Sequence, residues 1–189
     1  MTQTTSTDAP SLRPLWLGVL IVSTVALTAL YTCITPFAAF AAITATLLSR
    51  RQALASMVVV WFANQVVGFS VLSYPWTAKT FAWGVAIGGA AVFSMLAAQW
   101  AVGRLQSFGS PIRTVAGFLS AFIVCQLMLY TVAASMLGGT EAFAPRIIGQ
   151  VLLISALTFV GLFGLNRLVV AAALLSRPRC GQASAARFA

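Results

Sequence analysis

The sequence contains no histidine and only two acidic residues, Asp8 and Glu141, and both acids lie outside the long apolar runs. These absences exclude histidine bases, HExxH zinc sites and paired carboxylates within a membrane. They also argue against a proton relay, which uses chains of Asp, Glu or His. We therefore expect no catalytic residues, and a protein that binds or passes a ligand instead of reacting with it.

Charge of either sign is scarce. Only 7% of the 189 residues are charged and 60% are hydrophobic, whereas a soluble domain has about 25% charged residues. The formal net charge of +9 comes from basic residues scattered at the ends of apolar runs, with no basic patch interleaved with aromatics. We therefore expect a lipid bilayer as the surroundings and no nucleic-acid partner. Three cysteines without CxxC spacing give no sign of a metal site, and we expect no cofactor.

Six apolar runs predict an all-α polytopic membrane protein, a bundle of six transmembrane helices. A span needs about 20 residues, within a range of about 17 to 25. The predicted spans cover 15–31, 34–49, 53–72, 81–102, 115–137 and 147–167, between a polar tail at 1–14 and a basic tail at 176–189. The second run is short for a span. The last run continues past Asn166 and Arg167, which we place at the membrane interface, with a helix continuing along the surface to residue 175.

The basic residues fall at alternate gaps between the runs. One side holds eight of them: Arg13, Arg50, Arg51, Arg104, Arg113, Arg177, Arg179 and Arg187. The other side holds Lys79 and Arg146. The positive-inside rule then places both termini in the cytoplasm, and the alternation holds only if the short second run crosses. We expect a multi-pass protein of a bacterial-type inner membrane.

The second run has a small face. Ala38, Ala41, Ala42 and Ala45 fall on one side of the helix, opposite bulkier residues. Small faces let helices approach closely in lipid, where packing drives association. Two interpretations remain open: the alanines pack against another helix of this bundle, or they form a contact surface for a partner protein's helix.

Few polar side chains lie within the predicted spans. The amides are those of Asn64, Gln65, Gln126 and Gln150. A buried amide must be hydrogen-bonded, so these side chains are expected to face the interior. They serve either as bonds between helices, worth about 0.6 kcal/mol on average, or as neutral contacts to a polar ligand.

Aromatic residues gather at the outer ends of the spans. Tyr31 lies at the first outer connection, and Tyr74, Trp76 and Lys79 lie in the next. They form either an interfacial aromatic belt or a lid over a pocket on the outer side. Cys33, also at an outer helix end, is either a small helix-end residue or a soft metal ligand.

This arrangement resembles the substrate-binding S-component of energy-coupling-factor vitamin transporters. The resemblance is carried by Ala38-xxx-Ala42 and Ala41-xxx-Ala45, and by the outer loops at 31–36 and 74–79. It implies that the alanine helix meets a transmembrane coupling subunit that works with ATPases. It also implies a vitamin bound under the outer loops. Solitary members handle cobalamin, which makes cobalamin the first candidate and Cys33 a cobalt ligand.

Two functions therefore stand side by side. A vitamin-uptake protein predicts an outward pocket lined from spans one, three, five and six. A membrane subunit that scaffolds or assembles a larger complex predicts a bundle without a cavity, and a fixed partner.

Overall fold

The computed structural model describes residues 36–175, with side chains through residue 168. Within this range every regular element is helical. The elements are α1 (Phe37–Leu47), α2 (Arg50–Ser70), α3 (Ala78–Arg104), α4 (Ser110–Val132) with a π-helical extension (Ala133–Leu137), a 3-10 turn (Thr140–Phe143) and α5 (Pro145–Leu175). The all-α class is confirmed. The first predicted span at 15–31 and both tails lie outside the described residues.

Four of the described helices are long and apolar enough to cross a membrane: α2, α3, α4 with its extension, and α5. They correspond to predicted spans three to six, so a multi-pass membrane protein is confirmed at this level. As predicted, α5 continues as one helix past Arg167 to residue 175. The Arg167 side chain is exposed, and its guanidinium lies 5.0 Å from the centroid of the Phe163 ring.

The short helix α1 occupies part of the predicted second span. It has 11 residues, or about 16 Å at 1.5 Å per residue, which is about half of the hydrocarbon thickness. Leu48 stops it with an extended backbone (φ −117°, ψ 154°), and Ser49 then begins the capping box of α2. The described part of this run thus consists of a half-length helix and a sharp connection.

Helix α1 forms the centre of the bundle. It contacts α2, α3, α4 and α5, and its residues from Phe37 to Thr44 are all buried. Ala38, Ala41 and Ala42 are at most 3% exposed, and the half-buried Ala45 packs against the core. The small face is therefore covered by the chain itself. This burial favours the internal-packing interpretation, and the contact with a partner's helix stays a prediction.

The helix ends that carry most of the described arginines lie at the same end of the bundle. α2 and α4 begin, and α3 ends, at the end of the bundle that we call the arginine end, which holds Arg50, Arg51, Arg104, Arg113 and Arg167. The opposite end, called the loop end, holds Lys79, Glu141 and Arg146. The buried core lies nearer the arginine end, since its members on α2, such as Met57 and Val60, do not extend beyond the middle of that helix.

A candidate binding groove between α2 and α3

Two glycines of α3 fix how closely it approaches α2. Gly84 and Gly88 lie one turn apart, opposite Gln65 and Trp61, which are one turn apart on α2. A Cβ at Gly88 would lie 2.7 Å from the Trp61 ring, and a Cβ at Gly84 would lie 2.7 Å from Gln65 Oε1. The Trp61 Nε1–H donates to the Gly84 carbonyl at 2.8 Å. The glycines thus form a notch that accepts two large side chains.

The connection after α2 turns back on the helix that precedes it. The Tyr74 N–H donates to the Gly68 carbonyl at 3.1 Å. A Cβ at Gly68 would lie only 2.7 Å from the Tyr74 ring. Ser73 takes a left-handed conformation, φ 53°, which is rare for a residue other than glycine. This compact turn directs the loop and Trp76 over the groove.

Aromatic rings close the loop end of the groove. Phe69 is their hub: its ring centroid lies 5.0 Å from that of Phe81, 5.1 Å from Trp76 and 6.3 Å from Tyr74. Trp76 also meets Phe81 edge-on at 5.9 Å. These separations fall in the favourable range for aromatic pairs, each worth about 0.5–1.5 kcal/mol beyond its buried area. The loop is thus held to both helices by stacking.

Beneath these rings lies an open cavity of about 360 Å³, here called the loop-end cavity. It is lined by Trp61, Phe62, Gln65, Val66, Phe69, Trp76, Phe81, Gly84 and Val85. The Trp61 N–H is bonded to Gly84. The cavity surface is almost wholly apolar, and the other polar side-chain groups among its lining residues are the Gln65 amide and the Trp76 indole N–H. The cavity therefore offers mainly aromatic faces and methyl groups.

The groove continues toward the middle of the helices. A second cavity of about 330 Å³, the mid-groove cavity, is lined by Met57, Val58, Trp61, Val85, Gly88, Gly89, Val92 and Phe93. It shares Trp61 and Val85 with the loop-end cavity. Several lining side chains are open to the surroundings, Val85 at 69% and Phe62 at 61% exposure. The groove is accordingly open on one flank of the described bundle.

The structure brings two of the predicted ligand contacts together, Gln65 and Trp76. Five other predicted contacts lie outside the lining of the loop-end cavity: Asn64, Tyr74, Lys79, Gln126 and Gln150. Among these, Asn64, Tyr74 and Gln126 are half-buried, while Lys79 and Gln150 are exposed. Tyr31 and Cys33 lie outside the described residues.

The pocket also draws on different spans from those expected. Its lining comes from predicted spans three and four and their connecting loop, with none from the described spans five and six. The sequence held a signal for part of it: Trp61, Gln65 and Phe69 recur at a spacing of four and therefore share one face of α2. Phe81 and Val85 repeat the same spacing on α3.

Among residues 36–175, no group of three or more His, Cys, Asp or Glu side chains is placed to hold a metal ion. Comparison of the chain with protein-family models, with curated proteins and with solved structures finds no match.

Proposed function

We propose that this protein is a multi-pass membrane protein that binds a small, largely apolar molecule at the loop-end cavity and takes part in its uptake. The observation that supports this is a cavity walled by Phe69, Trp76 and Phe81 with one amide, Gln65, at its side. Concave apolar sites with a few polar groups are typical of small-molecule binding. The scarcity of acids and imidazoles fits binding without chemical change.

The size and lining of the cavity narrow the ligand. About 360 Å³ lies near the lower limit of small-molecule pockets, which hold about 300–1,000 Å³. The described walls suit a molecule of one or two rings that stacks on Phe69 or Trp76 and makes at most one hydrogen bond, to the Gln65 amide or the Trp76 N–H. Cobalamin is far bulkier and more polar than this space, so we favour a smaller vitamin-like molecule. A cobalamin ligand would need further walls and Cys33 on cobalt.

In this proposal the loop acts as the entrance. Trp76 is 76% exposed, so it can move from the mouth of the cavity at little cost in buried area, whereas Phe69 is held by three neighbouring rings. The sequence has no GxxxxGK[ST] nucleotide motif. Energy for uptake would then come from a gradient or from a coupling subunit with ATPases.

A thermal-shift screen on the detergent-solubilised full chain tests the proposal. The probes are cobalamin, riboflavin, biotin, nicotinamide and indole, because they differ in size and polarity. A ligand at about 100 times its Kd stabilises the folded state by about 2.7 kcal/mol, which raises the melting temperature measurably. We expect a shift with a one- or two-ring probe, reduced in the Gln65→Leu variant. A shift only with cobalamin would overturn the size argument, and none with any probe would count against a vitamin-like ligand.

The scaffold function remains the second candidate, and one observation favours it. The loop-end and mid-groove cavities join into an elongated apolar groove on the flank of α2 and α3, a shape that suits a helix of a partner. Co-purification from native membranes in a mild detergent separates the two functions. A stoichiometric partner that is lost on the Val85→Trp change, with no shift in the ligand screen, would establish the scaffold.

A further inference from the structure

A third cavity lies at the other end of the molecule and has a different character. This arginine-end cavity holds about 610 Å³ and is lined by Arg50, Phe93, Leu96, Ala97, Gln99, Trp100 and Val124. Its walls come from α2, α3 and α4. One charged group and one amide thus share a cavity with aliphatic and aromatic side chains.

The polar groups lie at one end of this cavity. Arg50 begins α2 and Trp100 lies one turn before Arg104, the last residue of α3, so both are near the arginine end. Phe93 lies 11 residues before Arg104, or about 16 Å deeper along the helix. The Arg104 guanidinium lies 5.3 Å from the centroid of the Trp100 ring, which adds a second cation beside the Arg50 end. The cavity is therefore cationic at its head and apolar in its depth.

The apolar part continues beyond this cavity. Phe93 also lines the mid-groove cavity, whose other walls include Val58, Gly89 and Val92. Phe93 is 52% exposed and Trp100 is 65% exposed. A chain-like apolar group that entered beside Arg50 would find apolar side chains along α3 on both sides of the shared Phe93 ring.

The charges at the arginine end lack acidic neighbours. Glu141 is the one acidic residue within residues 36–175, and it lies at the loop end. Arg50 and Arg51 also occupy the first turn of α2, where the helix dipole favours anions over cations. The positive-inside rule accounts for basic residues at this end but not for the position of Arg50 beside an open, largely apolar cavity. A phosphate there would complement both the guanidinium and the helix terminus.

The geometry points to an anionic phospholipid as the occupant of the arginine-end cavity, with its phosphate at Arg50 and Arg104 and an acyl chain along Leu96, Phe93 and the mid-groove cavity. Basic pockets between transmembrane helices bind acidic headgroups in this manner. The lipid would fill the flank of α3 and hold α2 to α4 at the arginine end. The headgroup site shares no lining residue with the loop-end cavity, so the test of the lipid does not depend on the ligand at the loop end.

The test uses the full chain purified in an uncharged detergent. Dioctanoyl phosphatidylglycerol, dioctanoyl phosphatidylcholine and glycerol phosphate are titrated against melting temperature, and retained lipid is counted by native mass spectrometry. We expect phosphatidylglycerol to bind and to be preferred to phosphatidylcholine by about fivefold or more, since one basic residue near anionic lipid contributes about that factor. Glycerol phosphate should have little effect, because it lacks the acyl chain.

Adjacent arginines provide the matched control. Arg50→Gln should weaken phosphatidylglycerol binding by about fivefold, whereas Arg51→Gln, with the same loss of charge outside the cavity lining, should leave it unchanged. Ala97→Phe should fill the cavity and reduce lipid retention while both arginines remain. Equal losses in Arg50→Gln and Arg51→Gln, or a full shift with glycerol phosphate alone, would overturn the site. Unchanged retention in Ala97→Phe would do the same.

Discussion

The indole of Trp61 on α2 lies against the backbone of Gly88 on α3, where a single methyl group would come within 2.7 Å of the ring. Gly89, the next residue, has nothing within 4 Å of the same position. Two adjacent glycines on one helix thus have opposite surroundings. The first sets the distance between two membrane helices, and the second faces open space.

We therefore expect Gly88→Ala to lower the free energy of unfolding by about 1–3 kcal/mol, the usual range for overpacking a tight contact. Gly89→Ala should be neutral or slightly stabilising, because alanine is the better helix former. Denaturation of both variants in the same detergent measures the difference. Equal stabilities would mean that Trp61 does not occupy the notch.

The alanine face of α1 provides a second test, and it separates internal packing from partner docking. Ala41 is fully buried at the centre of the bundle, so Ala41→Leu should destabilise the isolated protein by about 1–3 kcal/mol or more. The matched control is Ala55→Leu, the same change at an exposed position of α2, with an expected effect of about 0.5 kcal/mol or less. If both variants melt like the parent protein, the face is not packed as described.

Ligand binding at the loop-end cavity should depend on Phe81. This ring is 48% exposed and stacks on Phe69 at 5.0 Å, so it can change with little general loss of folding. We expect Phe81→Ala to weaken binding of the best probe by about tenfold, equivalent to about 1.4 kcal/mol of lost stacking.

Phe108→Ala controls for loss of an aromatic ring in general. Phe108 is 53% exposed and lies in the connection at the arginine end, outside all three cavities. Its removal should leave the affinity of the probe unchanged. Equal losses in the two variants would indicate a general effect on folding and would argue against the loop-end cavity as the site.

Thiol labelling tests the predicted orientation. Ala142→Cys and Ser107→Cys are each introduced into a variant without Cys33, Cys125 and Cys180. Both positions are exposed, Ala142 at the loop end and Ser107 at the arginine end. A membrane-impermeant maleimide should label position 142 in intact bacterial cells, and position 107 only after permeabilisation, because basic ends remain in the cytoplasm. The reverse pattern would invert the topology.

The long helices could be predicted from the sequence, because the length and apolar composition of their runs are sufficient to identify a candidate span. The length of α1 could not be predicted in this way. The alternation of arginines indicates which helix ends lie on the same side of the membrane, but it does not indicate where a helix ends. Its end depends on the extended backbone at Leu48, which local sequence does not mark with glycine or proline.

The part of the candidate site on α2 could also be predicted from the sequence. The shared face of Trp61, Gln65 and Phe69 follows from a spacing of four, but its pairing with Gly84 and Gly88 requires the register between α2 and α3. Register depends on three-dimensional packing, so single-sequence patterns favoured the conspicuous loop residues Tyr74 and Lys79 over the lining residues Phe69 and Phe81.

The burial of α1 among four other helices has a consequence for how the protein is made. An 11-residue helix is too short to be held stably across hydrocarbon on its own, since about 17 residues are the minimum for a span. It gains its place only when longer helices surround it. Biogenesis should therefore insert α2, α3 and α4 first and settle α1 between them afterwards, so that a late step of assembly completes the core.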